Sequence, residues 1–222
     1  MSSLLGGSPT PLGRTVAFIE APHAVVLSQL LERRERLGEE VDVRNDLPGF
    51  PECLQTLTPL EAPRTAELLV VHGITWTAYL DNTRDDAGHG DPTPGSGSTW
   101  AAVSEVAHTL DVPCVMVTYL PLDREGRAAT RFRLFLPDVD ERPDRERALD
   151  LSAANGRWHW RTEGDALPFE RTDSYRSRRT RERLTRELLV SYLASLEIFV
   201  DDDSLYGMAT LVRTRVPGMD DT

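Results

Sequence analysis

Asp81, Asp85, Asp86, His89 and Asp91 crowd one short stretch that leaves the most apolar run of the chain. Carboxylates and an imidazole are donors that divalent cations accept, and a loop held by a buried strand is a suitable place to gather them. Asp81, Asp85, His89 and Asp91 are therefore the candidate metal ligands, and the chemistry they suggest is that of a metal-dependent hydrolase or transferase. The spacing follows no known metal motif. A calcium loop counted from Asp81 needs Gly at its sixth position and Glu at its twelfth, where Asp86 and Pro92 stand. A solvated loop built from Gly, Pro, Asp and Ser is the competing reading.

Other chemistry is absent as motifs. There is no G-x-S-x-G elbow, no H-E-x-x-H and no C-x-x-C. His23, His72, His89, His108 and His159 are scattered, and His72 lies inside a strong strand, where a hydrogen-bonded core histidine is expected. Gly95-Ser96-Gly97-Ser98 precedes a helix and could present amides to an anion, although it is neither a phosphate loop nor a dinucleotide fingerprint. All 25 basic residues are arginine, which removes every mechanism that needs a lysine. Such usage suits a GC-rich genome, a bacterium or its phage.

Charge narrows the partners. Thirty-six acidic against 25 basic residues give a net charge of −11. That field repels phosphate backbones, so no nucleic acid is expected, and a protein of complementary charge is the natural partner. An arginine cluster (Arg176, Arg179 and Arg183) and the aromatic pair Trp158 and Trp160 are the candidate partner-binding residues, since Arg and Trp anchor interfaces. A solvated arginine face and ordinary core packing are the plainer explanations. Cys53 and Cys114 sit in apolar surroundings and read as buried free thiols, which fits a reducing cytoplasm. No apolar run is long enough to cross a membrane, and the first residues lack the pattern of a signal peptide.

The positioning elements follow from periodicity. Residues 1–13 read as a flexible leader, 14–216 as a single α+β domain and 217–222 as a flexible tail. Strands are expected at Arg14–Glu20, Cys53–Leu60 (an edge), Glu67–Leu80 with a bulge or break at Gly73, Pro113–Leu120, Arg131–Leu136 and, as a further edge, Met208–Val216. Helices are expected from Pro22 to Leu37, with Glu32, Arg33, Arg34 and Glu35 outside, from Ser98 or Thr99 to Leu110, and from Asp173 to Ile198. Residues 39–51 read as loop. Phe132, Leu134 and Leu136 share one strand face and Arg131, Arg133 and Phe135 the other. Asn155-Gly156 marks a hairpin that sets Leu149, Leu151 and Ala153 against Trp158 and Trp160. The expected fold is α+β: a mainly antiparallel, twisted sheet with two to three helices packed on it.

Three functions are compatible with this pattern: an acidic cytosolic interaction module without catalysis, such as an immunity- or antitoxin-type neutralising partner; the metal-dependent enzyme; or an accessory component of a phage or cellular assembly. No resident cofactor is expected beyond a possible divalent metal.

Overall fold

Runs of β-branched and aromatic residues dominate the central strands, and they produce a sheet that is apolar on both sides at its middle. The computed structural model describes residues 4–5, 14–60, 65–83, 99–137 and 145–215. These form nine strands: β1 (Thr15–Ile19), β2 (Glu40–Arg44), β3 (Ala66–His72), β4 (Trp76–Asp81), β5 (Cys114–Leu120), β6 (Ala128–Leu136), β7 (Arg145–Ala154), β8 (Arg157–Glu163) and β9 (Tyr206–Arg215). They make one sheet in the order β2-β9-β3-β4-β1-β5-β6-β7-β8, and every neighbouring pair is antiparallel. Three α-helices accompany it: α1 (His23–Arg36), α2 (Thr99–Leu110) and α3 (Arg186–Ala194). The architecture is α+β and dominated by the sheet.

The two faces build separate cores. Ala17, Ile19, Leu69, Tyr79 and Cys114 turn to one face, where Val26 and Leu30 of α1 and Trp100, Val103 and Val106 of α2 cover them. Val16, Phe18, Leu68, Val70, Phe132, Leu134 and Leu149 turn to the other, against Leu188, Leu189, Tyr192 and Leu193 of α3 and a 3-10 turn at Glu52–Leu57. Leu4 and Leu5, in the stretch expected to be a leader, are buried in this second core.

Several expectations need correction. Of the two readings of the run from Glu67, the break and not the bulge holds: Gly73, at φ +61°, opens a turn between β3 and β4. Cys53–Leu60 is no strand; Pro51 precedes a 3-10 turn there. Residues 39–51 hold strand β2, which is short, charged and exposed on both faces. Strand β9 is not an edge but lies between β2 and β3. The helix expected over Asp173–Ile198 is confined to α3, capped by Thr185, whose side chain accepts from the Leu188 amide. Two 3-10 turns, Thr172–Arg176 and Thr180–Glu182, precede it. The apolar stripe of α3 does not extend back through the arginine-rich segment, so nothing there rewards a continuous helix.

Arg33 and Arg34 also depart from expectation: both are buried on the inner side of α1. Arg33 bonds Glu105 of α2 at 2.7 Å. Arg34 bonds Glu67 of β3 at 2.6 Å and 3.0 Å, and Tyr79 donates its hydroxyl to the same carboxylate. Helix α1 is thus tied to the sheet by a charge network beneath its apolar stripe.

Candidate interaction face

Strands β6, β7 and β8 form a meander whose turns are set locally. Asn155 and Gly156 both hold positive φ, 50° and 74°, as a two-residue hairpin of the primed kind requires. That turn pairs Ala154 with Arg157, and the ladder then brings Asp150 opposite Arg161 and Leu151 opposite Trp160. On the α1/α2 side, two cross-strand rows result. Arg131, Asp150 and Arg161 form one row, and Arg133, Ala148 and Glu163 form the next.

Helix α2 reaches only the border of this surface. Arg133 lies over the Trp100 ring at 5.7 Å, and His108 meets Phe135 edge-on. Beyond them, no described helix covers the sheet. Arg157, His159, Arg161 and Glu163 are exposed, and Arg131 and Asp150 are half-buried. Arg131 faces Asp150 at 3.0 Å, and Arg161 pairs with Glu163. The depression among these side chains holds only about 20 Å³, room for roughly one water. The surface is shallow and charged, with cations in slight excess on an otherwise acidic molecule.

The opposite side of the same strands is closed. Trp158 and Trp160 share a face, as the register demands, but they are half-buried against the second core, and Trp160 packs on Tyr175 at 5.1 Å. Below them Arg147 and Glu170 form a buried bidentate pair at 2.7 and 2.6 Å. Arg147 also donates to the carbonyls of Glu163 and Gly164, while Tyr175 donates to Glu170 and the Leu167 amide completes the carboxylate's shell. Burial alone would raise the Glu170 pKa; the guanidinium, amide and phenol outweigh it and hold the carboxyl below its ordinary value. Arg147 is the clasp that fastens residues 163–175 to the sheet.

The candidate arginines follow directly on that fastened segment. Arg176 and Arg179 are exposed, and Arg179 reaches Glu182 at 3.2 Å. Arg183 is half-buried and donates to the Ser177 carbonyl. The turn Thr180–Glu182, flanked by Arg179 and Arg183, packs beside β8. Arg176 follows Tyr175, on which Trp160 packs, although the tryptophans are not presented as a surface pair.

Of the candidate metal ligands, Asp85, His89 and Asp91 lie outside the described residues, as do Gly95 to Ser98. Asp81 accepts from the Thr83 amide at 3.1 Å and from the Thr99 hydroxyl at 2.8 Å. Among the described residues no group of three or more His, Cys, Asp or Glu side chains could hold a metal ion. Asp81 and His72 stand at opposite ends of the β3–β4 hairpin, about 17 Å apart at 3.4 Å per residue, so they share no cleft.

His72 is buried as expected but is not hydrogen-bonded. Neither ring nitrogen has a partner. The ring packs against Phe18 and Tyr206, with centroids 5.2 and 4.5 Å away, and desolvation pushes its pKa down to about 4. Cys53 and Cys114 are buried free thiols. Burial pushes Cys53 up to about 11 and raises Cys114 as well, so neither forms thiolate near neutral pH.

Sequence reasoning separated Arg131 and Arg133 from the apolar face but did not single out Asp150, Arg161 or Glu163. The signal was available. A two-residue turn at Asn155-Gly156 fixes the β7–β8 register, and that register alone places the three residues in the rows.

The fold and this face define a sheet-dominated α+β protein with an uncovered, charged sheet surface among its described residues. No protein-family model matches the chain, and no curated protein and no solved structure matches it significantly. No described helix is long and apolar enough to cross a membrane.

Proposed function

We propose that the chain is a protein-interaction module without catalysis, acting in the manner of an immunity or antitoxin protein that neutralises a partner by binding it. The observation that carries this reading is the uncovered face of β6–β8. Its rows of Arg131, Asp150 and Arg161, then Arg133 and Glu163, are too shallow to enclose a small molecule, yet they offer paired charges across a broad rigid sheet. A second protein satisfies such a surface, because charged rows orient an approaching partner and suppress wrong ones. The net charge of −11 adds long-range steering toward partners with basic regions.

Affinity capture from the native host at low salt tests the proposal, with the double variant Arg157→Ser/Arg161→Ser run in parallel. The expected result is a protein retained by the wild type and lost from the variant. Retention of nothing above background would sink the reading. Equal retention by both chains would remove the β6–β8 face as its site.

A further inference from the structure

We propose that the chain has a second docking surface, at the opposite end of the sheet, which takes an extended basic segment of a partner protein as an added strand. The inference rests on the reading of the chain as an interaction module. Strand β2 is the outer strand at that end and pairs only with β9 among the described residues. In an antiparallel ladder, alternate residues of an edge strand turn their N–H and C=O groups outward, ready to pair with another extended chain. All five residues of β2 are exposed, and Val41 and Val43 are 37% and 36% exposed although they alternate toward the α1 side.

Beside this edge runs a groove between α1 and β2 with an open volume of about 550 Å³. Its floor is apolar, formed by Leu31, Val41 and Val43, and Glu32, Glu35 and Glu39 rise along it with no basic residue among its lining. Glu32 and Glu35 are exposed, whereas Glu39 is paired to Arg34 at 2.5 Å, and Arg33 and Arg34 are turned inward to Glu105 and Glu67. The helix therefore turns Arg33 and Arg34 inward and pairs its exposed Arg36 with Glu105 of α2, while Glu32 and Glu35 line the groove. Thr214 of β9, directly across from Val41, is buried, and its hydroxyl oxygen has no hydrogen-bond partner.

These features select one occupant. Pairing to β2 demands an extended backbone, the apolar floor demands apolar side chains at every second position, and the carboxylates demand arginine or lysine in reach. A second copy of this chain is a poor fit. It would bring its own three carboxylates and a net charge of −11 against the same groove.

The test uses the full chain and a fluorescent, end-blocked peptide of five Arg-Val repeats. Its partners are the same peptide N-methylated on one alternating set of amides, then on the other. The protein variants are Glu32→Arg/Glu35→Arg and, as a control with the same change in net charge, Glu125→Arg/Asp165→Arg. Fluorescence anisotropy should show saturable binding to the wild type that weakens with added salt. Binding should fall at least tenfold with Glu32→Arg/Glu35→Arg and far less with the control. One N-methylated peptide should lose binding and the other keep most of it. Three results would overturn the inference: no saturable binding, equal loss in both double variants, or indifference to N-methylation at either set. Sedimentation showing that the free chain dimerises through a contact broken by Glu32→Arg/Glu35→Arg would also overturn it, by making a second copy the occupant. Host-protein capture by the wild type that survives Glu32→Arg/Glu35→Arg but not Arg157→Ser/Arg161→Ser would leave the interaction reading standing without this groove.

Discussion

A buried histidine with no partner makes stability depend on pH in a predictable window. The His72 pKa is depressed to about 4 in the folded chain, against an ordinary 6.5. Between those values the unfolded chain binds a proton that the native chain refuses, so stability is full above about pH 6.5 and falls as pH drops toward 4. The two pKa values set a limit of about 3 kcal/mol on that loss. His23, also lowered by burial, acts in the same direction. The substitution His72→Phe keeps an aromatic ring between Phe18 and Tyr206 and removes two unsatisfied nitrogens. It should raise stability at pH 7 by about 1 kcal/mol. Its advantage over wild type should grow between pH 6.5 and 4 in urea titrations; a constant difference would refute the assignment. Glu67 is the opposite case, a buried charge with every partner in place. Glu67→Ala leaves Arg34 half-paired beneath α1 and should cost about 3–5 kcal/mol, whereas Arg34→Met/Glu67→Met should cost much less. Denaturant midpoints of the two variants decide it: equal losses would mean that packing volume, and not uncompensated charge, sets the cost.

Elements depend on single positions in ways that local geometry predicts. Gly156 and Gly164 have nearly the same backbone, φ +74° and +73°, but different surroundings. A Cβ on Gly156 meets open space, while one on Gly164 would stand 2.1 Å from the Glu146 carbonyl oxygen. Gly156→Ala should therefore cost only the left-handed strain, about 1 kcal/mol. Gly164→Ala must also move the start of β7 and disturb the Arg147 clasp, and should cost about 3 kcal/mol or more. Similar midpoints for the two variants would show that the 163–175 segment yields freely. The same local-versus-distant distinction explains what could be read in advance. The β7–β8 hairpin, α2 and the two-faced alternation of β6 were legible because their signals lie within a few residues. Arg33 and Arg34 were misplaced because their carboxylates, Glu105 and Glu67, sit on other elements. Strand β2 escaped notice because Glu40-Val41-Asp42-Val43-Arg44 has the alternation of a strand but buries neither face. The arginine-rich stretch before α3 looked helical only by extension of the stripe that follows it. Of the candidate site, the arginine face of β6 was visible, while the rows needed a register.

At the scale of the molecule, the sheet joins two kinds of ladder with very different closure costs. Strands β5 to β8 follow one another in sequence and in space, so each pairing closes a short loop. Strand β9 instead inserts between β2 and β3, pairing Val212 with Val43 and Leu211 with Leu68 across most of the chain. Closing long loops before their contacts form is entropically unfavourable and slows folding. The meander should therefore gain protection first, and β2, β3 and β9 should be protected together and later, once the chain beyond α3 has docked. Pulse-labelled hydrogen exchange during refolding measures this order directly. Amides of Thr130, Phe132, Leu149 and Leu151 should be protected while those of Leu68, Val70, Leu211 and Val212 still exchange. Because β9 supplies both neighbours with their ladder, Leu211→Pro should abolish protection in β2 and weaken it in β3 while sparing the β7–β8 hairpin in the early intermediate. Simultaneous protection of both groups, or loss of the hairpin in Leu211→Pro at the earliest time, would show that the sheet forms as one unit and that its long-range ladders set the pace from the start.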